Sequence, residues 1–403
     1  MLPDVQTVLR LTDSAAAWLL TYLIHSTVIL GAVWLITSRR RVSDTVRDVL
    51  WKSALLGGLV TATAQTAVAR EPLAGQLRLA PRTTGSVAPA MRIAVRTDFL
   101  DAPHRVVLLR PGGTRWTNVL VVFWLTTAGG GLLLLTLGST RALRALGSRA
   151  SLDGTPIGSR LRELLARAGV DRAVELTCSS AIASPVALPG NEVCLPRRAL
   201  LELQPEEQDS MLAHEVAHLV RRDPQWLVLA RAIEVVLFFQ PLNRLARRRL
   251  QEVAEYLCDD WAIARTRRPV VLAKCLAAVA EWVGRAPAVS TPRLYPMSAM
   301  VESGGSPLVR RVGRILGVRN APHARTPRAA AAASACTLVL LAGVAPRVSV
   351  AHPAIGVNRF TVVRAVVRET GLVTNDALFV FRTPDGRAPF DAILEPGIPR
   401  STP

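Results

Sequence analysis

The feature that most limits how this chain can fold is an uncharged, mainly apolar run from Ser14 to Ser38. A helix of about 20 apolar residues crosses the hydrocarbon core of a bilayer, so this run is long enough to span. Its length and its flanks do not fit a cleaved signal peptide. Three more stretches, 49–69, 116–140 and 329–346, have a similar character. The sequence therefore predicts four transmembrane helices.

The charge pattern predicts how these helices are oriented. The segment 38–48 carries four arginines in eleven residues, whereas 70–115 carries eight in forty-six. Positive charge concentrates on the cytoplasmic side, so we expect an outside N-terminus and an external loop at 70–115. Residues 141–328 are then cytoplasmic, and a small extracytoplasmic module occupies 347–403. The expected location is a bacterial-type plasma (inner) membrane, with several passes.

Composition agrees with this interpretation and argues against a nucleic-acid partner. Half of the residues are hydrophobic, and the mean hydropathy is +0.29. The net charge of +19 comes from arginine, because Lys52 and Lys274 are the two lysines of the chain. We attribute this bias to genome composition and cytoplasmic flanks, since no DNA-binding motif or aromatic-interleaved basic patch occurs. The scattered cysteines have no CxxC spacing and are expected to be reduced.

The motif that carries chemistry is His214-Glu-Val-Ala-His218. Two histidines four residues apart lie on one helix face and can bind one metal ion, and Glu215 between them can deprotonate a metal-bound water. The preceding Gln204-Pro-Glu-Glu207 is typical of a helix start. A buried helix whose histidines merely satisfy neighbours is the alternative, but it leaves Glu215 unexplained.

Zinc needs a third protein ligand and a fourth position for water. A metzincin would have Gly and His where this chain has Arg221 and Pro224, which excludes that class. A following helix offers Glu252, Glu255 and Asp259 on one face. We assign Glu255 as the third ligand and Asp259 as the acceptor that orients a histidine. A solvated acidic face is the alternative for this cluster.

Four motifs together resemble the BlaR/MecR-type integral-membrane zinc metallopeptidases (antirepressors). They are Val193-Cys-Leu-Pro196, Leu212 to Asp223, Phe238-Phe-Gln-Pro241 and Glu255 to Asp260. The resemblance covers roughly residues 1–345. It implies the same zinc ligands and base, and a signalling role in which an external signal switches on cytoplasmic cleavage of a transcriptional repressor or of the peptidase itself.

Two other functions stay open. Membrane-protein quality control is the alternative enzyme role, and a catalytically silent membrane sensor is the alternative outside enzymology. Retention of the base and all three ligands argues against the sensor, and a neighbouring repressor gene would favour signalling over quality control. The group that stabilises the oxyanion is also open: Tyr256 or an arginine could serve.

The best-known members of that family carry a penicillin-binding domain whose acylated serine belongs to a Ser-x-x-Lys motif. Neither Lys52 nor Lys274 has a serine three residues before it. We therefore expect no acylation by β-lactams. The activating signal would arrive through the 70–115 loop, the C-terminal module or a partner.

The predicted fold is a mainly α membrane protein with a cytoplasmic α+β gluzincin-like zinc peptidase domain between spans three and four. Within that domain we expect helices at 161–168 and 270–284, strands at 174–178, 185–188 and 192–195, and an apolar helix near 225–239 that is core rather than membrane-dipping. The 185–195 hairpin could accept a substrate strand at an open edge, with Val186 and Val193 as candidates. In the β-rich C-terminal module we expect strands at 360–367, 377–381 and 390–394.

Overall fold

The computed structural model describes residues 5–39, 42–67, 76–79, 113–285, 307–317, 337, 346–350, 360–369 and 372–382. Its helices are α1 Val5–Arg39, α2 Asp44–Ala67, α3 Gly113–Ala145, α4 Pro156–Ala168, α5 Arg197–Glu202, α6 Pro205–Arg221, α7 Asp223–Val236, α8 Pro241–Thr266, α9 Pro269–Arg285 and α10 Pro307–Leu316. Its strands are β1 Gln76–Leu79, β2 Ala150–Ser151, β3 Glu175–Ser179, β4 Val186–Leu188, β5 Glu192–Pro196, β6 Arg347–Val350, β7 Phe360–Glu369 and β8 Leu372–Arg382. The protein is thus mainly helical, as predicted.

Within the described part of the chain, two helices are long and apolar enough to cross a membrane, over Leu11–Arg39 in α1 and Thr117–Ala145 in α3. They contain the first and third predicted spans. α3 exposes a continuous apolar surface, which water does not favour and lipid does; it includes Val119, Leu120, Val122, Phe123, Leu125, Leu133, Leu134 and Leu137. These features are consistent with a membrane protein.

The other two predicted spans are not established in the same way. α2 is 24 residues long and packs against α1 and α8, but four charged side chains lie in its first nine residues, at Asp44, Arg47, Asp48 and Lys52. Its crossing of a membrane stays a prediction. The segment 329–346 lies outside the described residues, apart from positions 337 and 346.

A four-stranded sheet forms one side of the predicted peptidase domain, in the order β2-β3-β5-β4. β3 and β5 are parallel, and β4 and β5 form an antiparallel hairpin. All three predicted strands are present within one residue of the expected limits; the short β2 was not predicted. The inner face of the sheet packs with α4, α6 and α9 in one hydrophobic cluster that includes Leu176, Val193, Leu195, Leu212, Val216 and Leu276.

The second hydrophobic cluster joins the apolar helices to a hairpin formed by α7 and α8. Leu19, Tyr22 and Trp51 of α1 and α2 pack there with Ile233 and Leu237. The hairpin tip meets the middle of α1, where the Gln240 side chain donates to the hydroxyl oxygens of Ser26 and Thr27, both at 2.8 Å. One face of the 225–239 segment packs against the apolar helices α1 and α2, and the expectation that this segment is core rather than membrane-dipping stays a prediction. Its other face exposes Val228, Leu229 and Phe238.

The helix α8 connects the two clusters. Its 26 residues extend for about 39 Å, at 1.5 Å per residue. Leu250 belongs to the cluster shared with α1 and α2, whereas Ala262 belongs to the peptidase core. Glu255 lies between them and is therefore at the junction of the apolar helices and the soluble-looking domain.

The described C-terminal strands take part in two separate strand pairs. Both strands expected at 360–367 and 377–381 are present and longer than predicted, and they pair as an antiparallel hairpin that was not predicted. The strand predicted at 390–394 lies outside the described residues. β6 pairs in parallel with β1, a short strand inside the 70–115 loop, and the Val348 N–H donates to Thr21 Oγ1 of α1 at 3.1 Å. This second pair was not predicted.

Candidate metal centre

The helix α6 begins as its sequence indicates. Pro205 occupies the first turn, and the Gln204 N–H donates to Glu207 Oε2 at 3.0 Å, so that a side chain satisfies one of the free donors at the helix start. Both histidines and Glu215 are buried. The motif thus lies on a rigid, covered helix, which fixes the directions of its side chains.

Three side chains from α6 and α8 converge on one point. The two Nε2 atoms of His214 and His218 are 3.2 Å apart. Glu255 Oε2 lies 3.5 Å from His214 Nε2, and Glu255 Oε1 lies 3.7 Å from His218 Nε2. Ligands bound tetrahedrally to zinc at about 2.0–2.1 Å are about 3.3–3.4 Å apart. The spacing therefore fits a zinc ion with no rearrangement of the backbone.

Glu215 is buried on the same helix as the two histidines. Its carboxylate is 5 % exposed, and Oε2 has no hydrogen-bond partner among the described residues. A buried, unsatisfied carboxylate oxygen is costly unless a ligand or a water supplies a partner. Burial raises the pKa of Glu215, although the two histidines beside it oppose the shift. A raised pKa makes this carboxylate a better proton acceptor.

A carboxylate oxygen lies close to the other nitrogen of each histidine. His214 Nδ1 lies 3.1 Å from Asp259 Oδ1, and the orienting role of Asp259 stays a prediction. His218 Nδ1 lies 3.0 Å from Asp223 Oδ2. Carboxylate partners of this kind fix the tautomer and direct Nε2 toward a metal. Burial lowers the pKa of His214, but Asp259 and Glu255 outweigh it and raise the pKa to about 10. Metal binding would therefore displace a proton from this imidazole.

Asp223 was not assigned from the sequence, although it ends the motif run that starts at Leu212. The end of α6 explains why the Asp223 carboxylate lies beside His218. Arg222 adopts a left-handed conformation, with φ at +59°, and terminates α6. This sharp turn starts α7 and brings the Asp223 carboxylate back beside His218.

A second potential metal-binding group consists of His218, Asp223 and Cys258. Asp223 and Cys258 contact Nδ1 of His218. The group formed by His214, His218 and Glu255 instead meets at Nε2 of His218. Burial and the adjacent Asp223 raise the pKa of the Cys258 thiol well above its ordinary value, so the thiolate that binds metals is disfavoured. We therefore interpret Asp223 and Cys258 as the surroundings of a ligand and not as a second site.

Arg311 is the functional candidate that sequence reasoning missed entirely. It lies on α10, is 3 % exposed, and contacts both Glu255 and Asp259. Together with the histidines it lowers the pKa of Glu255, although burial acts in the opposite direction. Tyr256, a candidate for oxyanion stabilisation, instead donates to Glu252 Oε1 at 3.1 Å. Of the two kinds of residue considered for oxyanion stabilisation, a tyrosine and an arginine, the arginine Arg311 is the one that contacts Glu255.

The structure separates the two candidates for the substrate edge. Val186 lies in β4, at the end of the sheet, and is partly exposed. Val193 lies in β5, which pairs with β3 on one side and β4 on the other, and is fully buried. An added strand cannot pair with β5, because both of its edges are in use. The Val193 assignment is therefore corrected, and Val186 is retained.

Comparison with known proteins places the chain in a family. No curated protein sequence matches it. The family model described as BlaR1 peptidase M56 matches residues 16–270, which include most of α1, the motif helix α6 and Glu255. The match covers more than half of the chain and confirms the resemblance drawn from the four motifs. This chain therefore belongs to the BlaR1 peptidase M56 family, a family of metallopeptidases.

Proposed function

We propose that this protein is an integral-membrane zinc endopeptidase whose ion is held by His214, His218 and Glu255. The observation that carries the proposal is the mutual spacing of their ligand atoms, 3.2 to 3.7 Å, beside an unsatisfied Glu215 oxygen. Family membership supports the metallopeptidase class. Zinc is favoured over Mg²⁺ or Ca²⁺ because two of the three ligands are imidazoles.

In the proposed peptide hydrolysis, the metal ligands, the base and the carboxylates beside the histidines each have a separate role. A bound zinc ion would supply Lewis acidity and lower the pKa of a coordinated water. Glu215 Oε2 accepts a proton from the attacking water and then delivers it to the amine leaving group. Asp259 and Asp223 keep the two imidazoles in the orientation that binding needs. Burial of the site strengthens these electrostatic interactions.

The substrate is proposed to be a cytoplasmic protein, such as a transcriptional repressor or this peptidase itself. An extended segment would pair with the free edge of β4, which packs against α6. Main-chain pairing places few demands on sequence, so recognition at this edge would be loose. The proposed partners are thus a protein substrate and the membrane.

The proposed topology has the metal centre on the cytoplasmic side and the C-terminal module outside. The pairing of β1 with β6 supports it, because strands that pair must lie on one side of a membrane. β1 belongs to the predicted external loop, and β6 follows the fourth predicted span. A signal received outside would then reach the centre through the apolar helices that contact α8.

The test uses the purified protein in detergent. We expect about one zinc per chain, as in other single-site peptidases. Glu215→Gln should retain zinc and lose cleavage of a casein-type substrate by at least about 100-fold, the lower range for a general base. Glu206→Gln on the exposed start of the same helix is the matched control and should behave as the parent. A parent without zinc, or a fully active Glu215→Gln, would refute the proposal.

A further inference from the structure

A cavity of about 120 Å³ lies between α4, the first half of α6 and the end of α8. One water molecule needs about 10–15 Å³, so the cavity is large enough for a small ligand. It is lined by four arginines, one acid and three other residues, Arg160, Leu164, Arg167, Asp209, Leu212, Arg265, Thr266 and Arg268. The whole chain has 49 lysines and arginines and 30 acids, whereas the cavity has four arginines and one acid. The cavity therefore concentrates positive charge beyond the general excess of the chain.

Arg160 is fixed at one side of the cavity by groups of α6. Its Nε lies 3.1 Å from Asp209 Oδ1, and its Nη2 donates to Gln208 Oε1. The Gln208 side chain is itself held, because its Nε2 donates to the carbonyl oxygens of Ala199 and Leu203, both at 3.1 Å. The acid of the cavity is thus paired with Arg160, and its charge does not compensate the other three arginines.

Two of those three arginines make only weak ion pairs. Arg167 lies 3.8 Å from Glu163, and Arg268 lies 4.0 Å from Glu206. These four side chains are 49 to 66 % exposed, and ion pairs between exposed side chains contribute little to stability. Both guanidinium groups can therefore turn toward a ligand in the cavity at low cost.

Arg265 is held in a different way, by stacking on an aromatic ring. Its Cζ lies 4.4 Å from the centre of the Trp261 ring. A guanidinium stacks through its flat face, whereas its N–H donors lie in its plane. Stacking thus fixes the direction of this group without using its donors.

Three of the arginines act electrostatically on one point, the carboxylate of Asp209. Burial raises the pKa of Asp209, and Arg160, Arg268 and Arg167 oppose that shift. An anion bound beside Asp209 would be stabilised by the same three charges. The carboxylate itself would compete with such an anion.

We propose that this cavity binds a small soluble ligand that carries a phosphate monoester. Such a group has close to two negative charges at neutral pH and three acceptor oxygens. A carboxylate offers two oxygens in one plane, whereas the three phosphate oxygens point in different directions. They suit donors that come from α4, from α8 and from the turn before α9, and arginine binds phosphate through two parallel hydrogen bonds. The inference does not rest on the proposed zinc function, because no proposed metal ligand lines the cavity.

The position of the cavity favours a soluble ligand over a lipid headgroup. Along α8, Arg265 lies 22 residues beyond Asn243, whose Oδ1 accepts a hydrogen bond from the Tyr22 hydroxyl of α1 at 3.0 Å. At 1.5 Å per residue this separation is about 33 Å. The cavity thus lies at the end of α8 that is remote from its contact with α1.

The experiment measures binding of glycerol 3-phosphate to the full chain in detergent, by isothermal titration calorimetry at physiological ionic strength. We expect a dissociation constant of about 1 mM or lower, which a few charge-assisted hydrogen bonds can supply. The double variant Arg265→Met with Arg268→Met should weaken binding at least about 10-fold. Asp209→Asn removes the competing carboxylate and should strengthen binding by about 2–5-fold. Arg162→Met, exposed on α4 outside the cavity, is the matched control and should bind as the parent.

Each result has a definite meaning. A parent that does not bind glycerol 3-phosphate, or a double variant that binds it as the parent does, overturns the inference. Equal weakening in the double variant and in Arg162→Met would show an effect of net charge alone and would also overturn it. The gain expected from Asp209→Asn cannot arise from misfolding, and weaker binding in that variant would contradict the proposal. If a short-chain phosphatidylglycerol bound in place of glycerol 3-phosphate, the ligand would be a lipid headgroup and not a soluble ester. Zinc content should be the same in every variant.

Discussion

Asp48 Oδ1 of α2 lies 3.3 Å from Arg221 Nη2, and Arg221 Nε donates to the same Asp223 oxygen that His218 Nδ1 contacts. Two side chains, Arg221 and Asp223, therefore connect α2 to the proposed metal ligand His218. Lys52, one turn along α2, also pairs with Asp48 at 2.8 Å. This chain of charges links the apolar helices to the metal centre.

The first prediction follows from the order of these contacts, which run from Asp48 through Arg221 and Asp223 to His218. Asp223→Asn removes the carboxylate that orients His218 and should weaken zinc binding by about 10–100-fold. Asp48 contacts Arg221 and not a histidine, and in Asp48→Asn the side chain of Arg221 can still pair with Asp223. The loss of zinc affinity should therefore stay below about 10-fold. Zinc competition with a chromogenic chelator measures both, with exposed Asp153→Asn as the control. Equal losses at Asp48 and Asp223 would contradict this order.

The second prediction concerns the two acids of α8. Glu255→Ala removes a proposed ligand, whereas Asp259→Asn changes a carboxylate that contacts His214 and Arg311 and is not itself a proposed ligand. Zinc affinity should fall by about 10–100-fold in Asp259→Asn and by more in Glu255→Ala. Glu252→Ala, one turn before Glu255 and directed at Arg249, is the matched control. Full zinc occupancy in Glu255→Ala, measured by elemental analysis, would exclude it as the third ligand.

The third prediction is a pH dependence in the α7–α8 hairpin. Glu234 pairs with Arg247 at 2.5 Å and with Arg231 at 2.8 Å. Burial raises the pKa of Glu234, but Arg247 and Arg231 outweigh it and lower the pKa. A lowered folded-state pKa contributes stability that is present above the unfolded value of about 4.3 and is lost as pH falls through the folded value.

Glu234→Gln should therefore reduce the free energy of unfolding by about 1.5–3 kcal/mol at neutral pH, the range for a hydrogen bond to a charged group. The deficit should shrink as the pH falls below about 4. Denaturant unfolding in detergent measures it, and exposed Glu281→Gln should show no deficit at either pH. A deficit that stayed constant on acidification would mean that the ion pair is not its source.

Local sequence patterns predicted the helices that carry the proposed metal ligands. The spacing of His214 and His218 and the helix start at Pro205 are properties of a single segment, and the structure has that helix. The periodicity of Glu252, Glu255 and Asp259 correctly placed two of these acids beside the histidines. Patterns that repeat with the helix period can be interpreted without tertiary structure.

The remaining parts of the site depend on geometry that no local pattern encodes. Asp223 reaches His218 only because Arg222 adopts a left-handed turn, which is uncommon for a residue other than glycine. Arg311 is 52 residues away from Asp259, and in an arginine-rich chain nothing marks it as special. Val193 and Val186 look alike in sequence, and the sheet order distinguishes them. Long-range pairing decided each of these three cases.

The last prediction concerns the free edge of β4. Successive residues of a strand direct their N–H groups to opposite sides. Of Val186→Pro and Ala187→Pro, one therefore removes a donor that a substrate strand would use, and the other removes a donor to β5. The outward-facing proline should raise the KM for peptide cleavage by at least about 10-fold and leave zinc content unchanged, because it removes substrate binding and no metal ligand. The inward-facing proline should instead lower the thermal stability. Val186→Ala keeps the N–H group and should cleave with nearly the parent KM. If both prolines left the KM at the parent value, substrate would not bind by strand addition at β4.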